Sequence, residues 1–420
     1  MNKLLFIAVI TAIAAPARAQ ADFESLNISA GDLMRAAAAD TAVISPAVEG
    51  PAKLKIGQVS SAERKDYITR ASLWRPEESL NVAALDFKVG PFEKNKYVPE
   101  ELATCSYVPM GQAYDGGKPN GTTRKFKCAD QKGKEFKVKY GEDNGEIVTE
   151  VAASWILNAI GAYTDKMYPV RVTCPNCPSD PFKNESDPGA WPAARRVAIE
   201  EKLGERIENK PNSGIGFDEF NLISDRVGAE ALSGMLHFLG NSDNKAPNQA
   251  IACQKKDVVA GADGAVCAKP VVYLQDMGIS FGGRGIYHNK RMHFDKWAKE
   301  RLWTFPEACI MHLNYTHTSS LVGVDGTGRD MNQIGEQARQ LMIRRLSLLS
   351  RAQLIDIFTA ARAATRAPSH TAEEWADLFL KKVDQLRYPR GSKTPANFAC
   401  PYQVVPANSA PRPDPFAHYN

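Results

Sequence analysis

Four short segments carry side chains that could do chemistry together. FKVKYG offers Lys137 and Lys139, EIVTEVAASW offers Glu146 and Glu150, FLGNSDNKAPNQ offers Asp243 and Asn248, and VVYLQDMG offers Asp276. In this chain order they match the set that phosphoryl transfer needs. A strand lysine holds the nucleotide phosphates and is oriented by a glutamate of the next helix; one acid accepts the hydroxyl proton, while an amide and a second acid hold a divalent metal. Asn248 follows Asp243 by five residues, the interval from acid to amide in H-R-D-x-x-x-x-N, although no HRD is present. Asp276-Met277-Gly278 stands after an apolar run, where D-F-G would stand, with Met in place of Phe. Each segment also has a plainer reading. Asn, Asp and Pro favour turns for local hydrogen-bonding reasons, lysines commonly solvate strand edges, and a glutamate suits a first helical turn.

The elements that must position these residues follow from hydrophobic period. From Tyr97 onward, TCSYVPMG, RKFKCAD and QKGKEFKVKYG alternate and are punctuated by turn residues, which predicts an antiparallel sheet of at least three strands. In EIVTEVAASWILNAIGAY, Val148, Val151, Ala152, Trp155, Ile156 and Ala159 recur at helical spacing before Gly161, so a helix follows the sheet. YPVRVTC reads as a further strand, and CPNCPSDPFKNESDPGAWP as a loop between two lobes. Beyond residue 192 the expected structure is mostly helical, with AARRVAIEEKLG, FDEFNLI and AEALSGMLHFLG, then the buried strand VVYL and amphipathic helices over 330–365 and 372–387. The Gly-rich AYDGGKPNGTT lacks G-x-G-x-x-G and reads as a long turn. The end of the chain is Pro-rich and extended, tied down only through Cys400.

The first residues, with Lys3, an apolar run over 4–15 and small residues around Arg18, have the layout of a secretory signal peptide cleaved after Ala19. No later stretch reaches the length of a bilayer span. Loss of Lys3 and Arg18 takes the formal charge from +4 to +2, which gives no hint of a nucleic-acid partner. Cys105, Cys128, Cys174, Cys177, Cys253, Cys267, Cys309 and Cys400 make an even count, and an exported chain favours disulfides. Eight cysteines allow 105 pairings; joining neighbours along the chain, 105 with 128, 174 with 177, 253 with 267 and 309 with 400, is the simplest choice. The CPNC segment also suits a redox pair or half a zinc site, but the CPSDPF that follows argues for a loop and a structural disulfide. There is no G-x-x-x-x-G-K-[ST] and no H-E-x-x-H, so P-loop and zinc-protease chemistries find no motif.

GNSD in FLGNSDNKAPNQ, followed by VVYLQDMGISFGG, resembles the atypical secretory-pathway kinases of the Golgi casein kinase type, whose catalytic loop contains GN-x-D and whose metal-binding acid lies in D-x-G-x-x-FG. More remotely the chain looks like HipA-like and phosphoinositide-kinase-like proteins. The likeness spans roughly residues 125–285 and implies Asp243 as general base, Asp276 as main metal ligand, Lys139 or its same-face neighbour Lys137 as the phosphate lysine, and Glu150 as its partner. Asn248 as second metal ligand comes from the wider kinase pattern. The chain departs from those kinases in having Asn244-Lys245 after the acid, only 11 residues from Lys139 to Glu150, and about 33 from Asp243 to Asp276. A disulfide-tied hairpin at Cys253 and Cys267 would absorb that last interval.

Together these readings imply an exported, secreted or periplasmic α+β protein with a two-lobed protein-kinase-like fold. The expected divisions are a leader at 1–19, an extension at 20–94, a small sheet-plus-helix lobe at 95–175, a helical lobe at 176–390 and a tail at 391–420. The implied activity is transfer of phosphate from ATP, with Mg²⁺ or Mn²⁺, to a hydroxyl of a protein or glycan. The alternative is an inactive kinase-like interaction module.

Overall fold

Alternation of apolar and polar side chains through residues 102–108 and 125–140 sets the framework, and the backbone follows that period. The computed structural model describes residues 56, 58–109, 123–141, 144–182, 191–210, 214–215, 217–220, 222–241, 243, 246–261, 264–282, 292–312 and 333–401. All of these belong to the unit formed by residues 54–420. The leader, AYDGG and most of the Gly-rich segment, Asn244-Lys245 and the tail beyond residue 401 lie outside the described residues.

Helix α1 (Ser61–Thr69) opens on a capping box in which Ser60 and Glu63 satisfy each other's backbone amides. Tyr67 and Ile68 of this helix, with Leu73, Trp74, Phe87 and Phe92 after it, are buried in the same core as the rest of the unit. The described part of the expected extension is thus a piece of that core. Strands β1 (Leu102–Thr104), β2 (Ser106–Val108), β3 (Lys125–Ala129) and β4 (Glu135–Tyr140) follow, then helix α2 (Gly145–Ala159), the short β5 (Tyr163–Thr164), β6 (Lys166–Cys174) and β7 (Trp191–Glu201). Six of them form a sheet in the order β1-β6-β7-β4-β3-β2, antiparallel except where β1 runs parallel to β6. Helix α2 is apolar nearly all round and buried along almost its whole length, with the Trp155 indole N–H donating to the Met167 carbonyl at 2.7 Å.

Strand β7 corrects the sequence reading. AARRVAIEEKLG, rich in Ala, Arg and Glu, has helical propensity, yet residues 191–201 pair with β6 on one side and β4 on the other. Central pairing on both edges outweighs a propensity difference of well under about 1 kcal/mol per residue. It also means that the Cys174–Cys177 region joins two neighbouring strands of one sheet. The sheet therefore continues past residue 175, where the sequence reading ended it.

After β8 (Glu205–Arg206) come α3 (Phe217–Phe220), α4 (Arg226–Phe238), β9 (Gln249–Cys253), the β10 (Val258–Gly261) and β11 (Gly264–Cys267) hairpin, and β12 (Pro270–Leu274). The second sheet has the order β5-β12-β9-β8. Strands β9 and β12 pair antiparallel from Gln249 opposite Leu274 to Cys253 opposite Pro270. Helix α5 (Phe294–Lys299), strands β13 (Trp303–Phe305) and β14 (Ile310–Met311), and helices α6 (Glu336–Leu346), α7 (Arg351–Ala360) and α8 (Ala372–Arg387) complete the described chain. The amphipathic patterns over 330–365 and 372–387 are these last three helices. An aromatic cluster joins them to what precedes. Phe281 meets Trp297 at 5.0 Å, Phe358 at 5.9 Å and Trp375 at 6.3 Å between ring centroids, all edge-on.

All eight cysteines are bonded, as Cys105–Cys128, Cys174–Cys177, Cys253–Cys267 and Cys309–Cys400. This is the pairing of neighbours along the chain. Four disulfides fit an oxidising compartment, and among the described residues no helix is long and apolar enough to cross a membrane.

Candidate active site

The period of two along β4 puts Lys137 and Lys139 on one face, and their surroundings separate them. Lys139 is 5% exposed. Its ammonium donates to both carboxylate oxygens of Glu150, on α2, at 2.6 Å and lies 3.1 Å from Glu200 on β7. Lys137 is half-buried and pairs with the other oxygen of Glu200 at 2.7 Å. Lys202 also reaches Glu200 at 2.7 Å and holds Asp165 at 2.7 Å. The lysine held by the helix glutamate is therefore Lys139. Glu146 is engaged elsewhere, accepting from the Thr123 hydroxyl beside Gly278.

Electrostatics divides the roles within this network. Burial disfavours the Lys139 ammonium, but Glu150, Glu200 and Asp276 outweigh it and hold its pKa well above the ordinary value. Burial also works against ionised Glu200, yet Lys137, Lys139 and Lys202 hold its carboxyl well below the usual range. Glu150 goes the other way: burial, with Asp276 and Glu200 as neighbouring acids, overcomes the attraction of Lys139 and pushes it up to about 7. The two glutamates bonded to this one buried ammonium are thus pushed in opposite directions, Glu150 up and Glu200 down.

Asp276 follows β12 with φ 57, in the left-handed region that non-glycine residues seldom enter. Its charge is felt at Lys125, Lys139 and Glu150, which places it among them. Gly278 has a steric reason: a Cβ there would lie 2.0 Å from Cγ of Glu146. The first turn of α2 can thus sit directly on the Asp276 loop.

Asp243 and Asn248 lie on the loop between α4 and β9. Gly240, at φ 64, turns the chain out of the helix, and the Asp243 amide donates to Oδ1 of Asn241 at 3.0 Å. The side-chain amide of Asn248 donates to the Asp243 carbonyl at 2.7 Å and to its Oδ2 at 3.2 Å. Both partners are acceptors, so Nδ2 must face them and Oδ1 of Asn248 points elsewhere. Asn241, Asp243 and Asn248 are thus hydrogen-bonded to one another, and the side chains of Asp243 and Asn248 are fixed against each other. Asp243 and Asn248 are each 8% exposed.

Three contacts strap the two loops side by side. The Gln275 amide donates to the Asn248 carbonyl at 2.9 Å, the Phe281 amide to the Leu239 carbonyl at 2.7 Å, and Asn241 Nδ2 meets the Met277 sulfur at 3.2 Å. The cause lies in the β9–β12 register. Gln249 and Leu274 are partners, so the residues just before one strand and just after the other must be adjacent. The long interval between the acids is taken up by the β10–β11 hairpin at the far end, closed by Cys253–Cys267.

Glu200 escaped the sequence reading, because its contribution depends on β7 being a strand. The hydrophobic triplet Val197, Ala198, Ile199 before it was the available signal. The Cys174–Cys177 disulfide closes a tight turn in which the Cys177 amide donates to the Cys174 carbonyl. The sulfurs of Cys105, Cys128 and Cys174 lie within 4.8 Å of one another, all committed to disulfides.

No family model matches the chain, and no curated protein matches it. Among solved structures it is similar to the crystal structure of a Helicobacter pylori proinflammatory kinase, CtkA, at 12% sequence identity and a TM-score of 0.36, over 69% of this chain and 94% of that one.

Proposed function

We propose that this protein is an exported, two-lobed kinase-like phosphotransferase that moves the terminal phosphate of ATP to a hydroxyl of a protein or glycan. One observation carries the reading: a buried strand lysine bonded to a glutamate of the next helix, under the charge of Asp276, on a loop strapped to the one that holds Asp243 against Asn248. In this reading Lys139 binds nucleotide phosphate, and Glu150 with Glu200 keeps its ammonium charged and aimed. The Asp243 carboxylate, oriented by Asn248, takes the proton of the acceptor hydroxyl as that oxygen bonds to phosphorus and ADP leaves.

The donor set suits a hard divalent cation. Asp276 offers a carboxylate and Asn248 an amide oxygen left over by its hydrogen bonds, both of the type that Mg²⁺ and Mn²⁺ prefer. Such an ion, when bound, neutralises phosphate charge.

The test is nucleotide binding. ATP with Mg²⁺ or Mn²⁺ is expected to raise the melting temperature of the wild type and to leave Asp276→Ala unmoved; a wild type without any nucleotide-dependent shift contradicts the reading. A second reading, an inactive interaction module, is favoured by the double engagement of Lys139 with Glu150 and Glu200. It expects bound nucleotide never to be hydrolysed or transferred, and partner binding to survive Asp243→Ala.

A further inference from the structure

Strands β3 and β4 carry four lysines, and three have carboxylate partners. Lys127 pairs with Glu135, Lys137 with Glu200, and Lys139 with Glu150 and Glu200. Lys125 has none among the described residues. It stands directly opposite Lys139 in the antiparallel register, so the two side chains leave the same face of the sheet with Cβ atoms about 5 Å apart. It is half-buried and feels the charges of Lys139, Lys137, Asp276 and Glu200. Burial and the two lysines lower its pKa to about 8 against the pull of the two acids. A half-buried cation that lacks a bonded carboxylate among the described residues and faces two like charges is a cost that folding alone does not explain.

We propose that Lys125 is a second phosphate-binding residue of the nucleotide site, reading the length of the polyphosphate chain from β3 while Lys139 holds it from β4. This rests on the nucleotide-binding reading above. The division of labour follows from the partners. Lys139 is already held by two carboxylates and serves as a fixed anchor, whereas Lys125 has no carboxylate bonded to it among the described residues and can turn to an incoming anion. A ligand with more phosphate charge gains more from it, so the residue discriminates triphosphate from diphosphate and contributes little to a nucleoside.

Titration calorimetry of the full chain in Mn²⁺, with ATP, ADP and adenosine, tests this in wild type, Lys125→Met and Lys125→Arg. Lys125→Met is expected to weaken ATP about tenfold, ADP less and adenosine not at all, and Lys125→Arg to keep most of the affinity. Without nucleotide, Lys125→Met is expected to melt at or above the wild-type temperature, because it removes an unpaired charge and keeps the apolar stem. If the wild type binds ATP and Lys125→Met binds it within twofold as well, the proposal is overturned while the nucleotide reading stands. A lowered melting temperature with unchanged affinity likewise overturns it, by making Lys125 a structural residue. A wild type that binds no nucleotide removes the reading itself, and this inference with it.

Discussion

At the residue scale, a few charges share one buried space around Lys139 and Glu200. Glu200 is the counter-ion of three lysines, and Glu200→Gln leaves Lys137, Lys139 and Lys202 short of a carboxylate. Breaking a buried pair from one side costs about 3–5 kcal/mol, so denaturant unfolding of Glu200→Gln is expected to show a loss of that order, larger than for a surface pair such as Arg351 with Asp377. Glu150 makes a different forecast. Its folded pKa of about 7 lies above the unfolded value of 4.5. The native state thus binds that proton more tightly, and stability from this group is greatest below pH 4.5 and declines as pH rises towards 7. Glu150→Gln lacks that titration, so the stability of the wild type relative to the variant is expected to fall between about pH 5 and 7.5 in paired unfolding series. A relative stability that rises over this window contradicts the assignment. The candidate set of Lys137 or Lys139, Glu150, Asp243, Asn248 and Asp276 could be written down from the sequence because chain order and intervals are one-dimensional facts, whereas the choice between the two lysines needed the contacts of Glu150. Lys125 and Glu200 could not, since what distinguishes them is which residue stands across the strand pair.

At the element scale, period did most of the work. The alternation of residues 125–140 and the helical repeat from Val148 to Ala159 appear as β3, β4 and α2. The stretch 191–201 failed the same test because its Ala, Arg and Glu content speaks for a helix, while pairing with both neighbours makes it a strand. The interval between the two acids was also readable, since a cysteine pair lies within it, and the structure puts a closed hairpin there. The close approach of α2 to the Asp276 loop was not, because it depends on one missing Cβ. Gly278→Ala puts a carbon 2.0 Å from Glu146 Cγ, and overpacking of this kind costs about 1–3 kcal/mol. The expected outcome is destabilisation by that amount with a disproportionate loss of nucleotide affinity, since the loop must retreat from the helix. Unchanged stability contradicts the contact.

At the scale of the whole molecule, the disulfides separate into local ties and one long-range tie. Cys253–Cys267 spans 14 residues and Cys309–Cys400 spans 91. On the loop-entropy account they contribute about 3 and 4–5 kcal/mol. Replacing both Cys253 and Cys267 by Ser is expected to lower the melting temperature yet leave nucleotide binding within a few-fold, because the β9–β12 register and the three straps lie at the other end of the hairpin. Replacing Cys309 and Cys400 is expected to cost more stability. It frees the end of the chain, whose Cys400 amide donates to Glu336 at 2.7 Å.

The convergence of Lys139, Asp243, Asn248 and Asp276 on one nucleotide is the central claim, and manganese anomalous scattering tests it most directly. In crystals grown with Mn²⁺ and a non-hydrolysable ATP analogue, the account expects the metal peak on oxygens of Asp276 and Asn248, with phosphate at Lys139 and the Asp243 carboxylate facing the terminal phosphate. A peak elsewhere, or nucleotide bound away from Lys139, would contradict it.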